Sequence, residues 1–138
     1  MLKLIIGKKG SGKTKKLIDA VTAAADVSNG NVVCIEKSST LTLNITHRVR
    51  LVDTDHYGIS GYDALYGFIS GICAGNYDVT HIGIDAVLRI GNRDYNELAE
   101  FVKKLDALSK DANTEFIVTV SADKAELPES IFKVAEEI

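Results

Sequence analysis

The chain of 138 residues is 46% hydrophobic and 25% charged, which suits one folded domain, residues 1–138, with enough apolar material for a buried sheet. Its formal net charge of −3 makes broad nucleic-acid binding a poor fit, because that binding rests on many Lys and Arg contacts to phosphates. Two cysteines without a CxxC pair and three scattered histidines argue against a structural zinc site, and no stretch approaches the roughly 20 apolar residues of a membrane helix.

In chain order, Leu2 to Ile6 is a short apolar run that reads as a buried strand. It breaks into a Gly/Lys loop, unlike the apolar region of a secretory signal. Cys34 and Cys73 sit in apolar runs and read as buried thiols of a reducing compartment, so the expected location is the cytoplasm. A helix is predicted from about Gly12 to Val27, with Leu17, Ile18, Val21 and Ala24 on one stripe. Asn29-Gly30 stops it. Asn31 to Glu36 reads as a second buried strand. The stretch Lys37 to Ile59 is the least legible: Thr46 to Val52 alternates and suggests an added edge strand, and Asp53 to Gly61 suggests a loop.

Tyr62 to Gly75 reads as a helix in which Gly67, Gly71 and Gly75 recur every four residues. Small residues at that spacing predict a helix lying close on the sheet, with a self-association face as the other reading. Val79 to Asp85 reads as a strand. Asp94 and Glu97 have the spacing of a capping box, followed by Leu98, Phe101, Val102, Leu105 and Leu108 at helical spacing. Glu115 to Ser121 is another apolar strand, and Pro128 opens a short final helix. Strands alternating with helices predict an α/β fold, a three-layer α/β/α sandwich around a mostly parallel sheet. Right-handed crossovers then put the strand C-termini on one edge, where ligands of such sheets bind.

At that edge Gly7-Lys8-Lys9-Gly10-Ser11-Gly12-Lys13-Thr14 fits G-x-x-x-x-G-K-[ST] at every fixed position, between a predicted strand and a predicted helix. Glycines let the backbone approach phosphates closely, and successive N–H groups make an anion-binding concavity. The helix that follows adds its positive end. Lys13 is expected to reach the β- and γ-phosphates and the Thr14 hydroxyl to bind Mg²⁺.

On this motif the chain resembles the P-loop NTPases, and the strand alternation extends that resemblance loosely over its length. The resemblance implies a P-loop NTPase fold of the ATPase branch, with a RecA-like or thymidine-kinase-like core, and Mg²⁺ and ATP as ligands. It also implies an apolar strand ending in an Asp that holds Mg²⁺, which His81-Ile82-Gly83-Ile84-Asp85 fits. In the ATPase branch the next residue is usually a water-polarising Glu; here it is Ala86. Glu36 ends the strand where recombinase-like relatives carry their catalytic Glu, so the catalytic candidates are Lys13, Asp85 and Glu36. Thr119 and Ser121 end the last strand, loosely where family members place a γ-phosphate sensor; the plainer reading is a hydroxyl satisfied by backbone.

The function expected from these residues is a slow or partner-activated Mg·ATP-binding ATPase, working through a protein partner or a homo-oligomer. The alternatives are a nucleoside or small-molecule kinase and a non-hydrolysing nucleotide sensor. Thymidine kinases resemble the chain in size and early motif but carry a Glu after the strand-end Asp and a zinc segment, both absent here. A GTPase would show Asn-Lys-x-Asp after a strand, and Ala122-Asp123-Lys124 does not match. The polar cluster of Asp53, Asp55, His56 and Tyr57 reads as an ordinary loop, with a metal or acceptor site as the alternative. Arg48, Arg50, Arg89 and Arg93 read as surface charges or as phosphate contacts.

Overall fold

The computed structural model describes residues 1–38 and 45–138. The elements in chain order are β1 (Leu2–Gly7), α1 (Lys13–Val27), β2 (Asn31–Glu36), β3 (Val49–Asp53), α2 (Tyr62–Gly75), β4 (Val79–Asp85), α3 (Val87–Ile90), α4 (Tyr95–Ala112), β5 (Glu115–Ser121), α5 (Glu129–Val134) and β6 (Glu136–Glu137). A single 3₁₀ turn, Lys124–Glu126, joins β5 to α5. The strands form one sheet in the order β3-β2-β4-β5-β1-β6, and every pair is parallel. Helices cover both faces, as the alternation of elements implied.

Strands buried on both faces read as continuous apolar runs, and β2 shows why. Val32 and Cys34 turn to one face, under Leu17, Val21 and Ala24 of α1. Val33 and Ile35 turn to the other, into the larger core beneath α2, α4 and α5. Each fully buried Leu or Ile contributes about 1.5–3 kcal/mol. Gly83 in the middle of β4 is required by space: a Cβ there would lie 2.9 Å from Val21 Cγ1 and 3.1 Å from Leu17 Cδ1. The absent side chain is what lets α1 rest so closely on the sheet.

The glycine spacing in α2 does not do what it suggested. Gly67, Gly71 and Gly75 are exposed, and a Cβ on any of them would meet nothing within 4 Å. The helix contacts the core through Tyr62, Leu65, Ile69 and Cys73 instead. The capping box is half formed. Asp94 accepts from Asn96 N and Glu97 N at 2.9 and 3.2 Å, but Glu97 reaches Asn92 Nδ2 rather than closing back on Asp94. The edge strand after residue 45 is β3, and it is parallel to β2. Residues 39–44, inside the least legible stretch, lie outside the described residues. Among the described residues no helix is long and apolar enough to cross a membrane.

Candidate functional site

The loop between β1 and α1 is shaped by its three glycines for two different reasons. Gly10 and Gly12 both have φ of +85°, which side chains rarely tolerate. Gly7 is needed for space, because a Cβ there would overlap Ser11 Oγ. Ser11 N donates to Lys8 O at 3.1 Å and closes the turn. Lys13 is buried at 8% exposure, and its Nζ donates to Lys8 O at 2.9 Å and to Ser11 Oγ at 3.4 Å. An ammonium has three protons to donate, so the side chain both staples the loop and keeps donor capacity beside it. Among the described residues no side chain caps α1, and its first turn holds no acidic residue. Its first N–H groups therefore carry positive potential without a side-chain acceptor. By contrast, Asp94 caps α4.

The sheet brings a row of polar side chains to the same edge. Asp53, Glu36 and Asp85 are direct neighbours in register at the ends of β3, β2 and β4, and they turn to the α1 face. Neighbouring strands lie about 4.8 Å apart, so these groups sit side by side. Thr119, fully buried on β5, donates to Asp85 Oδ1 at 2.6 Å and to Ile84 O at 3.4 Å. Its hydroxyl thus fixes the carboxylate, beyond the backbone partner expected from the sequence. The Thr14 hydroxyl faces that same carboxylate, 3.3 Å from Oδ2 and 3.5 Å from Oδ1. Burial above all, then the charges of Asp85 and Glu36, push the Cys34 thiol up to about 12, so it stays protonated beneath this row.

At the Asp85 end of the row lies a cleft of about 1090 Å³, lined by the loop, Asp85, Ala86 and the segments that follow β4 and β5. The chain leaves β1 toward α1 on one face and β5 toward α5 on the other, which opens a crevice between these adjacent strands. Five Lys and Arg side chains line this cleft against three carboxylates, although the chain as a whole carries −3. A locally cationic cleft in an acidic protein concentrates anions.

No family model matches the chain, and no curated protein matches it.

Of the residues singled out in the sequence, Lys8, Lys9, Gly10, Gly12, Lys13, Thr14 and Asp85 line the cleft. Gly7 and Ser11 shape the loop behind them. Glu36 is the strand neighbour of Asp85, is 2% exposed, and does not line the cleft. Arg48 and Arg50 are elsewhere, along a groove beside β3, where Arg48 pairs with Asp26. Arg89 and Arg93 do line the cleft, as do Tyr95 and Ser121. Asp53 is committed to its loop, accepting from Ser38 N and Asp55 N at 2.9 Å each, while Lys37 pairs with Asp55 at 2.7 Å.

Among the described residues no three His, Cys, Asp or Glu side chains cluster as metal ligands. A pairing that suits a cation is the Thr14 hydroxyl with the Asp85 carboxylate. These are hard oxygen donors of the kind Mg²⁺ takes, one or two from protein and the rest from phosphates and water.

Proposed function

We propose that the chain is a P-loop NTPase that binds Mg·ATP in the Gly7–Thr14 loop and hydrolyses it slowly or on activation by a partner. The observation that carries this reading is the meeting of Thr14 and Asp85, 71 residues apart, within 3.3 Å at the mouth of a cationic glycine loop. In this reading the loop amides and Lys13 hold the phosphate chain. Thr14 and Asp85 hold Mg²⁺, with Thr119 keeping the carboxylate in position. When bound, the metal neutralises charge on the β- and γ-phosphates. The choice of adenine follows from the resemblance and from the missing Asn-Lys-x-Asp segment.

Ala86 stands where a water-polarising carboxylate would follow Asp85, which supports low intrinsic turnover. Glu36 is the neighbouring carboxylate in the row and takes the role of general base in this reading. General bases contribute about 10²–10⁴ in rate. Glu36→Gln is therefore expected to bind Mg·ATP as wild type does and to release phosphate at least about 100-fold more slowly. Phosphate release under single turnover checks this, and an unchanged rate would remove Glu36 from the chemistry. A kinase reading draws on the cleft volume, about 1090 Å³, which is slightly above the usual range of roughly 300–1,000 Å³ for small-molecule sites. Transfer of label from γ-labelled ATP to an acceptor, rather than to water, would select it.

A further inference from the structure

We propose that Arg89, backed by Arg93, is a second phosphate-binding element in the cleft, separate from the glycine loop; this rests on the triphosphate reading above. Helix α3, of only four residues, directly follows Asp85 and Ala86. Val87, Leu88 and Ile90 are 0, 3 and 2% exposed and anchor it in the core. Arg89 is its one exposed residue, and it lines the cleft. The three anchors thus hold the backbone of α3 in place and leave Arg89 as its one side chain at the cleft.

The anchoring continues on both sides of α3. Gly61 N donates to Ile90 O at 2.8 Å, and Tyr62 Oη donates to Asn92 O at 2.7 Å. Gly91 is packed so closely on the Tyr62 ring that a Cβ would overlap it. Arg93 Nη2 donates to Ser121 O at 2.8 Å, which ties the segment to the end of β5. Among the described residues neither arginine has a carboxylate within ion-pair distance. A guanidinium carries five N–H donors in a fork that matches phosphate oxygens, and here Arg89 brings all of them and Arg93 all but one.

Position indicates which part of a phosphate chain is met. In the sheet, β5 lies between β1 and β4, so the glycine loop and α3 stand on either side of the end of β5, about 10 Å apart at strand spacing. A phosphate gripped by the loop is therefore approached by Arg89 from the Asp85 side. The phosphate it meets is either the terminal one of the bound nucleotide or one on a separate phosphorylated molecule.

Titration calorimetry on wild type, Arg89→Ala and Lys13→Ala separates these. The ligands are Mg·ATP, Mg·ADP, and inorganic phosphate added to the ADP-loaded protein. If the terminal phosphate is held, Arg89→Ala weakens ATP about tenfold and leaves ADP unchanged. If a separate phosphate is held, ATP affinity stays and the binding of inorganic phosphate is lost. Arg89→Lys, which keeps charge but not the fork, recovers part of either effect. Arg89→Ala with ATP and inorganic phosphate both unaltered overturns the inference alone. Wild-type ATP affinity that survives Lys13→Ala overturns the triphosphate reading instead, and wild type that binds neither nucleotide nor phosphate overturns both.

Discussion

Replacing Lys13 with alanine is expected to weaken Mg·ATP binding about 10- to 100-fold while leaving the fold intact. The magnitude follows from charge-assisted hydrogen bonds worth about 1.5–3 kcal/mol, and each 1.4 kcal/mol is tenfold in affinity. The fold should tolerate the change because alanine is the best helix former and Lys13 opens α1. Some loosening of the loop is expected, since Lys13 Nζ also donates to Lys8 O at 2.9 Å. Circular dichroism through the thermal transition tests the fold, and calorimetry tests the binding. Equal ATP affinity in the folded variant would show that the ammonium does not face the phosphates.

The second large effect is expected at Asp85. Asn is nearly the same shape and can still accept from Thr119 Oγ1, which donates to Asp85 Oδ1 at 2.6 Å. What Asp85→Asn removes is the negative charge beside Thr14. If Asp85 holds the cation through a bound water, as the family resemblance implies, it acts as an outer-shell group, and such groups control about 10- to 100-fold in metal affinity or activity. The variant should therefore bind ATP without Mg²⁺ about as wild type does, and gain little when Mg²⁺ is added. Phosphate release should fall by the same factor. A Thr14→Ala variant is expected to show the same loss of Mg²⁺ response, because in the proposed reading both oxygens serve one cation. An Asp85→Asn protein with a full Mg²⁺ response would place the cation elsewhere.

How much of this could be read beforehand depended on whether the signal was local. The central strands β2, β4 and β5 were legible to the residue because burial on both faces leaves largely apolar segments, interrupted by Thr80 and His81 in β4 and by Thr119 in β5. Helix α3 was not: four residues are too few to show a period, and Val87, Leu88 and Ile90 look like more strand. Strand β6 is two glutamates, Glu136 and Glu137, whose pairing with β1 is a matter of backbone alone. The α2 glycines share a face, as their spacing said. Only the competing stripe of Tyr62, Leu65, Ile69 and Cys73 tells which face turns inward.

The candidate site divides in the same way. The loop from Gly7 to Thr14 is contiguous, so its residue types could be read together. The pairing of Thr14 with Asp85 depends on strand order, and the grip of Thr119 on Asp85 depends on register between β4 and β5. Neither is written in any one segment. Arg89 could be named from sequence only as a charge near Asp85. Its place at the cleft comes with the burial of its three neighbours in α3, which is a property of the packed core.

The central claim is that main-chain amides of the loop hold the phosphates, and it is tested most directly by amide NMR spectra of ¹⁵N-labelled protein titrated with Mg·ATP. The expected result is that the largest shifts fall on Gly10, Gly12, Lys13 and Thr14, saturating together with those of Asp85. Absence of shifts at these amides, or shifts confined to the groove beside β3, would contradict the account.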